Sequence, residues 1–107
     1  MDSKAPRVNG EYLSQHRAHK VTIIGQVLDK ESSPLTIRTT DSKVVAIHKN
    51  SMLHPNRFDA AWIEVTGKVA ADNSIEEEST VPIRSTIDTE AWNSLVKLSH
   101  KYASEIF

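Results

Sequence analysis

His16 and His19 come closest to a metal-binding pair in this chain of 107 residues. Three positions apart on a helix, they would turn both imidazoles to one side, as two ligands of one ion must be. The chain has no cysteine, and no acid or thiol stands at a spacing that completes a ligand set. Capping or surface histidines are therefore the expected reading. Glu76, Glu77 and Glu78 suggest paired-carboxylate chemistry. Consecutive side chains on a strand point to opposite faces, however, so a solvated loop or sheet edge is the expectation. No glycine-rich phosphate loop, nucleophile elbow or Ser/His/Asp pattern occurs. Ser33-Pro34, in a predicted exposed turn, has the form of a proline-directed phosphorylation site, a dipeptide too common to carry weight. These residues do not add up to an enzyme, and no cofactor or metal is expected.

Binding is what remains. Arg38, Lys43, Lys49 and Arg57 could touch a phosphate backbone at the periphery of an assembly, although scattered cations are ordinarily solvated surface. Lys and Arg number 13 against 14 Asp and Glu, a formal net charge of −1. A chain that grips nucleic acid unaided usually carries a basic surplus. Asp29 and Glu31 flank Lys30 in one predicted loop, and Asp72, Glu76, Glu77 and Glu78 precede Arg84 with no basic residue among them. Such carboxylates repel phosphates at close range. The absence of cysteine suits a reducing compartment. No apolar run approaches the length of a membrane span, and the polar start MDSKAPR is not expected to act as a signal peptide.

The elements that position these residues follow from the hydropathy pattern. From Val21 to Ile87 the chain alternates as short strands separated by turn signals. Val21, Ile23, Gly25 and Val27 share one face of a first strand, with Ile24 and Leu28 on the other. Leu35, Ile37 and Thr39 alternate in a second, and Asp41-Ser42 is a tight hairpin into Lys43–His48. Lys49–Asp59 reads as a loop with one helical turn at His54-Pro55-Asn56. Ala61–Val69 is a strand with Ile63, Val65, Gly67 and Val69 inward and Trp62, Glu64, Thr66 and Lys68 outward. Ile75–Ile87 is a fifth strand, interrupted near Pro82, and Asn9–His16 is a short helix ahead of them all. Five strands without crossover helices predict antiparallel pairing throughout. Gly25 and Gly67 mark sharp bends. The predicted fold class is all-β with a terminal helix: a five-stranded OB-fold barrel plus a C-terminal α-helix. A sandwich of two small sheets is the alternative. One domain covers 1–107, with an N-terminal arm and helix over 1–19, the barrel over 20–87 and an assembly helix over 88–107. From Pro34 to His48 there is no Phe, Tyr or Trp, so the usual base-stacking platform of a single-strand-binding barrel is absent. Outward Trp62 is either an interface anchor or covered by the N-terminal segment.

The helix Asp88–Phe107 is the most informative element. Asp88 is a good N-cap, Glu90 sits in the first turn, and Ile87 with Trp92 has the spacing of a hydrophobic staple. At roughly 100° per residue, Ala91, Leu95, Leu98, Tyr102 and Ile106 form one stripe. Trp92, Val96, Ala103 and Phe107 form a second, with Ser99 between them. Asn93, Ser94, Lys97, His100, Lys101, Ser104 and Glu105 fill the polar half. A helix docking on its own domain needs an apolar arc of about 100°, and this one has nearly twice that. It could spread its whole footprint over its own core, but a small domain would need a large groove to absorb both stripes. One stripe left over exposes on the order of 500 Å². The predicted partner interface is therefore Ala91, Trp92, Leu95, Val96, Leu98, Ser99, Tyr102, Ala103, Ile106 and Phe107.

Several segments also resemble one family in order and spacing. They are Pro6-Arg7-Val8-Asn9 with Leu13, Val21–Val27 (VTIIGQV), Ile63–Val69 (IEVTGKV), Trp92-Asn93 and Val96–Tyr102 (VKLSHKY). Together they are similar to the smallest subunits of replication protein A. The resemblance implies a small OB-fold subunit of a heterotrimeric single-stranded-DNA-binding complex, nuclear, acting in DNA replication, repair and recombination. It implies that the partners are the large and middle subunits, that the terminal helices build a three-helix core, and that single-stranded DNA is held mainly through those partners. The small subunit of the telomere-capping trimer, of similar size and barrel, is an alternative, as is an autonomous weak single-strand binder.

Overall fold

The computed structural model describes residues 5–106, without the side chains of 104–106. Six strands and one α-helix form the framework: β1 (Arg7–Val8), β2 (Lys20–Asp29), β3 (Leu35–Thr39), β4 (Val44–His48), β5 (Trp62–Val69), β6 (Ile75–Ile83) and α1 (Thr89–Ile106). Two 3-10 helices, Gly10–His16 and Pro55–Phe58, lie at the turns anticipated from the sequence. The fifth strand stops at Ile83 rather than continuing to Ile87.

The sheet order is β1-β2-β3-β4-β6-β5, and β5 pairs again with β2, which closes a ring of five strands. This is the barrel, not the sandwich. The expectation of antiparallel pairing throughout fails at one contact in the ring: β4 and β6 run parallel, with Ile47 opposite Ile75. The reason is geometric, because alternation of direction cannot be completed around an odd-numbered ring. The short β1 adds parallel to β2 outside the ring.

Both interior glycines sit where the barrel bends. Gly25 pairs with Thr39 on one side and Ile63 on the other, so β2 passes from one neighbour to the next through it. A Cβ there would lie 2.6 Å from Ile37 Cδ1. Gly67 stands at a register shift between β5 and β6, and a Cβ would collide with the backbone carbonyl of Glu76. Both fit the rule that glycine marks close approach in a strand.

The core is built from Val21, Ile23, Leu35, Ile37, Val45, Ile47, Ile63, Val65, Val69 and Ile75, with Leu13 and Phe58 from the 3-10 helices and Val8 from β1. Along β5, Ile63, Val65, Gly67 and Val69 are buried while Trp62, Glu64, Thr66 and Lys68 are partly or fully exposed. Ile24 and Val96 are buried too, apart from that cluster. Asp88 caps α1, its Oδ1 accepting the Ala91 amide at 3.0 Å.

Candidate functional site

α1 lies along the N-terminal arm, and its docked face is built from side chains spaced three and four apart. Trp92 Nε1 donates to the Val8 carbonyl at 3.0 Å, and the Arg7 guanidinium stands 5.8 Å from the centre of the Trp92 rings. Asn93 Oδ1 accepts from Asn9 Nδ2 at 2.8 Å and from Thr40 Oγ1 at 2.6 Å, while its Nδ2 donates to the Thr40 carbonyl at 3.0 Å. Val96 is wholly buried. His100 stacks on Tyr12 with ring centres 4.1 Å apart, and its Nε2 lies 2.8 Å from His16 Nε2.

This corrects two assignments. Asn93 and His100, expected among the solvated residues, belong to the docked face. Hydropathy treats them as outward-facing, but a polar side chain can be buried where partners satisfy it, and 92, 93, 96 and 100 fall in one arc of about 100°. Of the residues expected in the partner interface, Val96 is wholly buried within the chain, and Trp92 is half-buried with its Nε1 bonded to the Val8 carbonyl of the arm.

The other stripe is open. Leu95, Leu98 and Tyr102 are 45%, 50% and 57% exposed. Ala91, Ser99 and Ala103 beside them are exposed as well. Of the remaining expected interface residues, Phe107 and the side chain of Ile106 lie outside the described residues. Leu95, Ser99 and Ala103 also form one wall of a groove of about 790 Å³, whose opposite wall is Thr22, Glu64, Thr66 and Glu78 on the outer face of the barrel. Lys20 and Glu78 form an ion pair there at 2.9 Å.

The four cations considered for DNA contact differ in their surroundings. Arg38 is exposed on β3, in register between Gln26 and Val44. Lys43 is exposed at the β3–β4 turn. Lys49 Nζ donates to the Lys30 carbonyl at 2.9 Å. Arg57 is occupied: its Nε and Nη2 reach Glu77 Oε2 and Oε1 at 2.6 and 2.7 Å, and its guanidinium lies 4.3 Å from the centre of the Phe58 ring. Glu77 also accepts from Thr80 Oγ1 and from the Asn50 amide. Burial pushes the Glu77 carboxyl up, but the Arg57, Thr80 and Asn50 hydrogen bonds together with the Arg57 charge outweigh it, leaving the group below the usual carboxylate range. The expectation of a solvated run at Glu76–Glu78 is thus overturned at Glu77, which faces inward between exposed Glu76 and Glu78. Alternation along β6 contained that signal, since Glu77 stands two positions after inward Ile75.

Outward residues on β3 and β4, namely Thr36, Arg38, Val44, Ala46 and His48, offer a single fixed cation and no Phe, Tyr or Trp. Trp62, half-buried, pairs with Gln26 on β2, whereas β1 of the N-terminal arm pairs with Thr22 and Ile23. Among the described residues no cluster of three or more His, Asp or Glu is placed to hold a metal ion. His16 faces His100, while burial and the nearby His100 and His19 lower its pKa. Among the described residues no helix is long and apolar enough to cross a membrane.

Comparison with known proteins agrees with this architecture. A family model described as replication factor A protein 3 matches residues 1–107. A 14 kDa replication protein A chain of Arabidopsis thaliana is 28% identical over 109 residues, covering 100% of this chain and 99% of that one. Replication factor A protein 3 of Schizosaccharomyces pombe is 28% identical over 107 residues, with the same coverage of 100% and 99%. Among solved structures, a chain of U. maydis replication protein A bound to single-stranded DNA superposes with a TM-score of 0.84 at 23% identity, covering 97% of this chain and 96% of that one. A chain of the S. pombe Stn1–Ten1 complex superposes with a TM-score of 0.71 at 14% identity, covering 94% and 96%.

Proposed function

The chain belongs to the replication factor A protein 3 family, and from that membership we propose that it is the small structural subunit of a heterotrimeric single-stranded-DNA-binding complex. Its partners are the large and middle subunits of that complex. α1 joins them through the open stripe of Leu95, Leu98 and Tyr102, in a core of three helices. The complex serves DNA replication, repair and recombination in the nucleus, and single-stranded DNA is held mainly by the partner chains.

One observation carries this reading. A helix already docked through Trp92, Asn93, Val96 and His100 still presents a second row of large side chains, each about half exposed. Contiguous apolar surface of that kind, rimmed by polar residues, marks protein–protein contact. Leu98 and Tyr102 are one turn apart, as anchors for a facing helix would be. The lack of Phe, Tyr and Trp on β3 and β4, with Arg57 committed to Glu77, supports a subordinate role in DNA contact.

The test is co-expression with the large and middle subunits. Leu98→Glu is expected to abolish co-purification while the barrel stays folded by circular dichroism. Recovery of both partners at wild-type yield would sink the proposal. The likeness to the Stn1–Ten1 chain favours one second reading, a telomere-capping assembly. Offering the corresponding subunits in the same capture experiment separates the two, since only the identity of the retained partner differs.

A further inference from the structure

We propose that Tyr12, His16 and His100 form a proton-gated latch that sets the direction in which the C-terminal half of α1 leaves the barrel. Trp92 and Asn93 anchor the first turns of the helix to Val8, Asn9 and Thr40. His100 lies about 10 Å further along the axis. There its ring is clamped between the Tyr12 face and the edge of the His16 ring.

The hydrogen positions follow from the acceptors. His100 Nδ1 is 2.8 Å from the Val96 carbonyl, which can only accept, so Nδ1 carries a hydrogen. In neutral His100 the Nε2 atom is then bare. His16 Nε2, 2.8 Å away, must be the donor. One added proton is tolerated. Placed on His16 Nδ1 it leaves the bond intact, and placed on His100 Nε2 it reverses the bond once His16 takes its other tautomer. A second proton is not tolerated, because two cationic rings would then point N–H groups at each other across the same 2.8 Å.

Burial of the pair favours holding fewer protons, and the charged groups around it are of both signs. From the first 3-10 helix, Tyr12 and His16 face His100, with His19 just past its end and Arg17 turned to Asn73. Lys20 on β2, Glu64 on β5 and Glu78 on β6 line the adjoining groove, with Lys20 and Glu78 paired. Arg7 covers Trp92, and α1 itself carries Lys97 and Lys101. The lowered pKa of His16, from burial first and then from His100 and His19, agrees with this balance. The latched state thus binds one proton fewer than the released state below the second protonation. Release should rise about tenfold per pH unit there.

The experiment is amide hydrogen exchange of the full chain, read as protection factors for residues 96–103 against those of β2 and β5, at about pH 7.5 and about pH 5. The helix amides are expected to lose about tenfold in protection while the barrel amides keep theirs. His16→Gln, which donates without titrating, should abolish the pH dependence, judged by slope rather than by level. His100→Phe keeps the stack on Tyr12 and should do the same, and His19→Gln should leave the wild-type slope. Helix protection unchanged with pH, or a wild-type slope in His16→Gln, overturns the latch. Either result leaves the assembly role untouched, because the readout involves no partner.

Discussion

Asn93 and Thr40, 53 positions apart, are joined twice: Thr40 Oγ1 donates to Asn93 Oδ1 at 2.6 Å, and Asn93 Nδ2 donates to the Thr40 carbonyl at 3.0 Å. The same Asn93 oxygen accepts from Asn9 at 2.8 Å. One amide thus ties the helix to both the β3–β4 turn and the N-terminal arm, so the direction of α1 is defined relative to the barrel.

Replacing that amide should loosen the helix without melting the barrel. Asn93→Ala leaves polar groups of Asn9 and Thr40 without their partner, at a cost of about 1–3 kcal/mol. Exchange protection of the first turns of α1 should fall at least tenfold, with β2 and β5 unchanged. Equal losses in helix and barrel would show that the two unfold as one unit.

Arg57 and Glu77 make a bidentate pair whose side chains are 9% and 0% exposed. Removing one partner strands a buried charge, so Arg57→Ala should destabilise the protein by about 3–5 kcal/mol. Adding Glu77→Ala to that variant should recover part of the loss. Urea denaturation of both single variants and the double variant checks the coupling, and strict additivity would contradict it.

Acid should weaken the fold in two steps. Glu77 is held below the usual carboxylate range; the unfolded chain therefore binds the proton more readily, and stability present above a pH of about 4.5 falls away through the folded-state value. His16 is lowered from 6.5, so its folded form also prefers to be neutral, and its contribution is complete above that pH and lost below it. Thermal midpoints across about pH 3–8 should fall monotonically with acid. Glu77→Gln should flatten the lower step and His16→Gln the upper one.

The two stripes of α1 should separate by readout. Val96→Ala creates a cavity in a sealed position and should cost about 2 kcal/mol of stability. Leu98→Ala and Tyr102→Ala, on the open side, should change stability by less than about 0.5 kcal/mol. Both should weaken capture of partner subunits at least tenfold, as central interface anchors do. The reverse pattern would exchange the roles of the two faces.

Much of this was present in the residue pattern. Alternation from Val21 to Val69 determined which side chains point inward, because a strand has a period of two and a one-residue slip would expose its whole apolar set. The width of the apolar arc on α1 raised the expectation of a second face beyond the docked one. Gly25 and Gly67 marked the bends. Closure of an odd-numbered ring, which forces one contact to be parallel and here leaves β4 and β6 so, is a property of the whole sheet and has no local signature. The burial of the charged pair Glu77 and Arg57 depends on partners 20 positions apart. The division of the helix into docked and open faces was likewise decided in three dimensions. Asn9, His16 and Thr40 are distant in sequence from α1, yet they satisfy Asn93 and His100, which hydropathy alone places in water. Apolar periodicity is a local quantity that a sequence carries openly, whereas hydrogen-bond satisfaction of a polar group exists only once its partners are assembled.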